Sequence, residues 1–114
     1  MSSKKSSKPK SIVNRRARYD YNILDTCIVG MELTGAEAKS LRLGHGQLTG
    51  SYVTIKDNEL QLINATINGT GSIRISESEQ TRNRRLLAKR REIDHMIEAK
   101  QQGKTIVPLY YIPR

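Results

Sequence analysis

Phenylalanine and tryptophan are absent from this chain of 114 residues, and cysteine occurs once, at Cys27. A single cysteine excludes an internal disulfide bond and a zinc cluster built on cysteine ligands. No apolar run approaches the roughly 18 residues that a membrane span needs. The basic, serine-rich start lacks the apolar stretch of a secretory signal. The sequence therefore predicts a soluble, cytoplasmic, monomeric protein with one small aliphatic core.

The charge of the chain is strongly positive and unevenly placed. Twenty Lys and Arg residues against eleven Asp and Glu residues give a formal charge of +9. Thirteen of the twenty cations lie in residues 1–18 and 82–91, and neither segment contains an acid. Concentrated cations release counterions when they meet phosphates, so the pattern favours a nucleic-acid partner. A solubilising tail together with a solvated helix face would give the same pattern, and that alternative stays open.

Local patterns predict a small β-structure with helices. Residues 1–12 are expected to form a mobile, basic arm, and residues 13–114 a single domain. Thr34-Gly35-Ala36-Glu37 has the form of a capping box, which predicts a helix that runs to Leu43 and stops at Gly44. Asp57-Asn58 predicts the turn of a β-hairpin. An apolar stripe predicts a second helix over about residues 80–101. Further extended segments are expected at Tyr19–Leu24, Ile28–Leu33 and Thr105–Ile112. These elements together favour a small barrel, or a partly closed sheet, with appended helices.

Three arginines fall in the first turn of the predicted second helix. Arg82, Arg84 and Arg85 would oppose the positive end of the helix dipole there, unless phosphates approach that end. The alternative is that the helix begins later and the arginines lie in a loop. In both cases we expect the cluster to be exposed.

Tyrosine supplies every aromatic ring in the chain. Tyr19, Tyr21 and Tyr52 are candidate platforms for stacking on unpaired bases. The alternative is that they fill the core, and we favour it for at least two of the three because the chain has no Phe or Trp.

Catalysis has little support in the sequence. Cys27 could in principle pair with His45 or His95 as nucleophile and base. No spacing supports that pair, and Cys27 lies in an apolar stretch, where a small buried thiol is the commoner state. No phosphate-binding glycine motif is present. We therefore expect no enzyme activity, no cofactor and no metal site.

Six segments, in order, resemble the motifs of one known protein family. The opening Asn14-Arg15-Arg16-Ala17-Arg18-Tyr19-Asp20-Tyr21 resembles that family's first motif, and Gly35-Ala36-Glu37-Ala38-Lys39-Ser40-Leu41-Arg42 resembles its signature. Ser51-Tyr52 is similar to the family's Asp-Ser-Tyr. The segments 81–87 and 91–93 resemble its Thr-Arg…Leu-Leu and Arg-Glu-Ile motifs, and Val107-Pro108-Leu109 matches a late strand. The family that these motifs resemble is that of the SsrA-binding proteins, also called small protein B. The likeness runs from Asn14 to Leu109 and so covers most of the chain.

The resemblance implies a fold and a partner. The fold would be mainly β, an OB-fold-like antiparallel barrel with two or three flanking helices. The protein would bind the tRNA-like domain of transfer-messenger RNA and deliver that RNA to stalled ribosomes in trans-translation. A general ribosome-associated or single-strand RNA-binding OB protein is the alternative.

The resemblance also assigns roles to single residues. Asn14 matches an RNA-contacting asparagine, and Leu87 matches a leucine that supports RNA binding. Lys39 and Arg42 match backbone-contacting or packing residues of the signature helix. With the basic segments and one tyrosine, the predicted RNA-binding set is Asn14, Arg15, Arg16, Arg18, Lys39, Arg42, Tyr52, Arg82, Arg84, Arg85, Leu87 and Lys89.

The sequence departs from the family at three places. Ile28 stands where the family often has Glu, and Glu79-Gln80 stands where Asp-Pro is usual. The family's last strand and long basic tail have no counterpart before Arg114. By the resemblance, the loss of that tail is compatible with RNA binding, and whether ribosome rescue survives without it stays open.

Overall fold

The computed structural model describes residues 12–111, and eight short strands and four helices lie in this range. The strands are β1 Ile12–Val13, β2 Gly30–Met31, β3 Gly46–Gln47, β4 Tyr52–Lys56, β5 Glu59–Ile63, β6 Thr66–Ile67, β7 Arg84–Leu87 and β8 Tyr110–Tyr111. The helices are α1 Ala17–Asp20, α2 Gly35–Arg42, α3 Glu77–Gln80 and α4 Arg90–Gln101. The predicted arm over residues 1–12 lies outside the described residues, apart from Ile12, which belongs to β1.

All strand pairs are antiparallel and form three sheets around one core. The largest sheet has the order β2-β7-β5-β4, and the pairs β1-β8 and β3-β6 form the other two. Strand β4 also bonds the segment that leads into β8: Val53 N–H donates to Ile106 O at 2.8 Å. The predicted OB-fold-like antiparallel arrangement is confirmed. Within residues 12–111, however, the three sheets do not join into one continuous closed barrel.

The core is aliphatic, as expected from the composition. Its buried members come from four strands, from α2 and from two short connections, and they are Ile12, Leu41, Leu48, Val53, Leu60, Leu62, Ala65 and Ile67. Tyr111 packs against this cluster but is only partly buried. No helix within residues 12–111 has the length and apolar character to span a bilayer.

The hairpin of β4 and β5 follows the local sequence signal. Asp57 and Asn58 take positive φ angles of 53° and 63°, the conformation of a type I′ turn, which Asn and Asp tolerate well. Val53 pairs with Leu62 on the buried face. The predicted hairpin is confirmed.

The capping box of α2 is also formed. Thr34 Oγ1 accepts from the Glu37 N–H at 3.1 Å, and Glu37 Oε1 accepts from the Thr34 N–H at 2.9 Å. Gly44 follows the helix with a φ of 86°, a conformation that disfavours other residues. Both ends of α2 therefore lie where the sequence predicts them.

Replacing Thr34 by alanine is expected to lower the free energy of unfolding by about 1 kcal/mol, because the Glu37 N–H loses its cap. Thr34→Ser keeps the hydroxyl and is the matched control. Urea unfolding of both variants measures the difference. Equal stability of the two variants would show that the Thr34 hydroxyl contributes nothing.

Two predicted elements are wrong. The alternating residues Tyr19–Leu24 do not form a strand: α1 occupies Ala17–Asp20, and residues 21–29 have no regular structure. Alternation needs a neighbouring strand to hydrogen-bond with, whereas α1 is closed locally by bonds such as Asp20 N–H to Arg16 O at 2.8 Å. The ion pair between Arg16 and Asp20, one turn apart, further favours the helical turn.

The long second helix is the other error. The segment predicted to be helical over 80–101 contains the end of α3, then strand β7, and only then α4. In β7 the side chain of Arg84 is buried, while its neighbour Arg85 is exposed on the opposite face. An arginine at an inward-facing strand position hides the period-two pattern, because sequence reading counts it as polar. Gly103 ends α4 with a φ of 83°, as predicted. Of the predicted last strand, Thr105–Ile112, the structure forms only β8, Tyr110–Tyr111, within the described residues; Ile112 lies outside them.

Candidate RNA-binding surface

The described part of the first basic segment forms a tight turn at the edge of the β1-β8 sheet. Asn14 and Ala17 are its buried points, and the Ala17 N–H donates to Asn14 O at 3.2 Å. Arg15 and Arg18 are exposed, and within residues 12–111 neither has an acidic partner within 4 Å. The Arg16 guanidinium instead bonds Asp20 and lies 4.9 Å from the centre of the Tyr19 ring. We name residues 14–20 the basic turn.

The second basic segment is joined to α2 by one buried carboxylate. Glu37 Oε2 accepts from Arg82 Nε at 2.9 Å and from Arg84 Nε at 3.1 Å. The same carboxylate accepts the Thr34 N–H in the capping box. We name Glu37, Arg82 and Arg84 the Glu37 cluster.

Arg84 is fully buried, with 0% of its surface exposed. Besides Glu37, its guanidinium donates to three carbonyl oxygens: Ala65 O at 2.9 Å, Glu79 O at 3.1 Å and Gln80 O at 3.0 Å. The expectation that all three arginines of this segment are exposed is therefore wrong for Arg84. The charge of Arg84 pairs with Glu37 inside the protein, and its guanidinium is not accessible to a phosphate in this conformation.

The charges of the cluster support one another. Burial by itself would raise the pKa of Glu37, but the hydrogen bonds from Arg82 and Thr34 and the charge of Arg84 outweigh it, so this pKa lies below its ordinary value. Burial also lowers the pKa of Arg84, and Glu37 opposes that effect. An arginine keeps its proton at neutral pH even so, and the pair is charged on both sides.

The other cations of the second segment point outward. Arg85 is half exposed, with Glu32 and Glu59 at 3.7 Å and 3.3 Å. Lys89 is exposed just before α4. Leu87 is 45% exposed and pairs with Gly30 in the register of β2 and β7. Arg82 keeps 34% of its side chain exposed and is therefore only partly available to a ligand.

Helix α2 contacts elements from both basic segments. Glu37 binds the second segment, as described above. At its other end, Leu41 packs beside Ile12 of β1 over Gly46, where an added Cβ would lie 2.7 Å from Leu41 Cδ2 and 3.1 Å from Ile12 Cδ1. The exposed Lys39 and Arg42 belong to the same helix. One helix thus contacts residues of both basic segments.

The tyrosines lie at the surface. Tyr19 is 82% exposed, and Tyr21 and Tyr52 are also exposed. The expectation that at least two of these three rings fill the core is wrong, because Leu, Ile and Val side chains from the strands already fill it. The rings are therefore accessible to a ligand.

The candidate thiol is exposed rather than buried, contrary to expectation. Although Cys27 is exposed, the surrounding protein removes part of the water around its thiol, and this desolvation raises its pKa. The nearby carboxylates of Glu92 and Asp25 raise the pKa further. A nucleophilic cysteine needs the opposite shift, since the thiolate is the reactive form. His95 Nε2 lies 3.2 Å from Asp25 Oδ2 instead.

A sequence model of the SmpB protein family matches residues 11–113, nearly the whole chain. The chain belongs to the SmpB family. It is 45% identical over 97 residues to the SsrA-binding protein of Caulobacter vibrioides, an alignment that covers 84% of this chain and 64% of that protein. It is 46% identical over 109 residues to the SsrA-binding protein of Maricaulis maris, which covers 90% and 70% of the two chains.

A solved structure gives the same result at the level of the fold. An SmpB chain from the work described as "tmRNA-SmpB: a journey to the center of the bacterial ribosome" matches with a TM-score of 0.69 and 37% identity. That match covers 88% of this chain and 71% of the other. The chain spans about 64% of the length of the Caulobacter relative.

Family membership gives the surface residues a context but does not decide their roles. Exposed positions of the predicted RNA-binding set are Arg15, Arg16, Arg18, Lys39, Arg42, Tyr52, Arg85, Leu87 and Lys89. Asn14 and Arg84 are buried, and Arg82 is intermediate. Sequence analysis identified Glu37 only as a helix cap and missed its contacts with the arginines, since its partners lie 45 and 47 residues away.

Proposed function

We propose that this chain binds the tRNA-like domain of transfer-messenger RNA and delivers that RNA to stalled ribosomes in trans-translation. The observation that carries the proposal is that helix α2 contacts both basic segments, Ile12 of the first and Arg82 and Arg84 of the second. The names of the SmpB-family relatives, SsrA-binding proteins, agree with it. The matched structure, described as tmRNA-SmpB at the bacterial ribosome, agrees with it as well. The protein would act as an adaptor that catalyses no reaction, in the cytoplasm where ribosomes work.

The proposed contacts divide by chemistry. Phosphates would be met by the exposed cations Arg15, Arg18, Lys39, Arg42, Arg85 and Lys89, with partial contributions from Arg16 and Arg82. Such contacts fix affinity and orientation without reading sequence. Leu87 and Tyr52 would supply apolar and stacking contacts to nucleosides. A folded, tRNA-like RNA presents phosphates at fixed spacings, which suits cations held on rigid elements.

Competition between two RNAs tests the proposal. The protein is titrated with a labelled tRNA-like domain at fixed ionic strength, in the presence of unlabelled tRNA-like RNA or of an unstructured RNA of equal length. We expect the folded RNA to compete at least tenfold better, because only it offers phosphates in the arrangement that the two segments match. Equal competition by both RNAs would contradict the proposal.

The exposed tyrosines favour a second candidate, general single-strand binding. Stacking on an aromatic ring contributes about 1–3 kcal/mol per base and tolerates any sequence. If this function dominates, replacing Tyr52 by leucine weakens binding of unstructured RNA more than binding of the folded RNA. The competition above then gives equal or reversed preference, so the two candidates are separated by the same measurement.

A further inference from the structure

Asn14 begins the basic turn and makes three hydrogen bonds in the protein. Its backbone N–H donates to Leu109 O at 2.8 Å, and its side-chain Nδ2 donates to Pro108 O at 2.9 Å. Its own carbonyl accepts the Ala17 N–H that closes the turn. The residue thus ties the turn to the segment that leads into β8.

The amide of Asn14 is enclosed by the protein. The residue is 6% exposed, and its Oδ1 has less than 1 Å² of accessible surface and no hydrogen-bond partner within residues 12–111. An acceptor so enclosed cannot reach an RNA hydroxyl or base unless the turn moves. The geometry does not fit a direct RNA contact, the role that family resemblance gives this residue.

The neighbours of Asn14 have the opposite character. Arg15 lies directly after it and Arg18 directly after the buried Ala17, and both arginines are exposed. Asn14 and Ala17 are therefore two fixed residues of the turn. Arg15 projects from between them, and Arg18 projects from just after Ala17. Just before the turn, the two-residue strand β1 pairs with β8 and also fixes the chain.

We propose that Asn14 is a positioning residue, which fixes the basic turn on Pro108 and Leu109 and acts on RNA only through Arg15 and Arg18. The proposal rests on the RNA-binding function proposed above. Loss of the Asn14 amide leaves Pro108 O without its donor and frees the turn. Arg15 and Arg18 then sample many positions, and ordering them on RNA costs conformational entropy.

The salt dependence of RNA binding separates positioning from direct contact. Each phosphate contact by a cation releases counterions and adds about one unit to the slope of log K against log salt concentration. A neutral amide that touches RNA releases none. If Asn14 acts through the arginines, Asn14→Ala lowers the slope by about one to two units and weakens binding about tenfold at moderate salt. A weaker affinity with an unchanged slope would overturn the proposal.

Two further variants sharpen the measurement. Asn14→Leu has a similar shape and stays uncharged but offers Pro108 O no donor, so it should lose as much slope as Asn14→Ala. Asn22→Ala is the matched control, since Asn22 is exposed and outside the turn, and it should leave both slope and affinity unchanged. Thermal unfolding of each variant without RNA establishes that the fold persists at the temperature of the titrations.

A double-mutant cycle gives an independent readout. Arg15→Ala combined with Arg18→Ala should lower the slope in the wild-type background but have little additional effect in the Asn14→Ala background. Full additivity would mean that Asn14 acts separately from the arginines, and the proposal would be wrong.

Hydrogen exchange of the RNA-free protein tests the anchor itself. The amides of residues 14–18 should exchange faster in Asn14→Ala than in Asn22→Ala, while β4 and β5 stay protected. Unchanged protection of the turn would overturn the proposal whatever the RNA does. If the wild-type protein ignores the tRNA-like RNA at every salt concentration, the proposed function fails, and hydrogen exchange alone decides whether Asn14 anchors the turn.

Discussion

Replacing Arg84 by methionine is expected to lower the free energy of unfolding by about 3–5 kcal/mol, the usual effect of breaking a buried ion pair by removing one partner. Methionine fills much of the same volume but donates no hydrogen bond. The carbonyl oxygens of Ala65, Glu79 and Gln80 then lose their donor inside the protein. Glu37 keeps Arg82 and the Thr34 N–H as its partners. Chemical denaturation of the purified variant measures the loss.

Arg85→Met is the matched control for this prediction. Arg85 is the next residue of β7, on the opposite face, and its ion pairs with Glu32 and Glu59 are about half exposed. Exposed pairs contribute little, so this variant should change the free energy of unfolding by less than about 1 kcal/mol. Its RNA affinity should fall instead. If both variants were equally stable, the Glu37 cluster would not hold the fold together.

The second large effect concerns pH. Glu37→Gln removes the charge that neutralises Arg82 and Arg84, and it should cost about 3–5 kcal/mol at neutral pH. The pKa of Glu37 is lower in the folded protein than in the unfolded chain. Its carboxylate therefore stabilises the fold fully above the unfolded value of about 4.3, and this contribution is lost as pH falls through the lower, folded pKa.

Unfolding curves of wild type and Glu37→Gln across a pH series provide the check. The gap in free energy between the two proteins should stay constant from pH 7 to about pH 5. Below the unfolded pKa it should shrink, because the wild-type carboxyl becomes protonated and then resembles the neutral amide. Glu32→Gln, at an exposed acid, controls for general effects of acid. A gap that widened on acidification would contradict the depressed pKa of Glu37.

Elements that depend on neighbouring residues could be predicted from the sequence. The α2 capping box needs only Thr34 and Glu37, and the β4–β5 turn needs only Asp57 and Asn58 with alternating residues on each side. The stops at Gly44 and Gly103 are local as well. In these cases the interacting atoms lie within a few residues, so spacing alone contains the information.

The division at β7 could not be predicted, since it depends on distant partners. Arg84 is tolerated inside only because Glu37, Ala65 and the end of α3 supply acceptors at that position. The spacing of residues 80–101 contains no information that Glu37 lies beside Arg84 in the folded protein. The apolar stripe predicts α4 correctly, but the predicted helix begins too early and includes the residues of β7.

The candidate site shows the same limit. Charge concentration located both basic segments, and it correctly placed Arg15, Arg18 and Lys89 at the surface. It could not separate cations that face solvent from one that neutralises a buried acid. For Asn14 the signal is its match to an asparagine of the family, but its enclosure depends on Pro108, which lies 94 residues away.

The sharing of one carboxylate has a consequence for how such a sequence can change over generations. Glu37 caps α2, pairs with the partly exposed Arg82 and neutralises the buried Arg84 at the same time. A single exchange at 37 or 84 passes through a poorly folding intermediate. Residues 37, 82 and 84 should therefore change together or stay unchanged. Arg85, which faces outward, can change independently as the ligand changes.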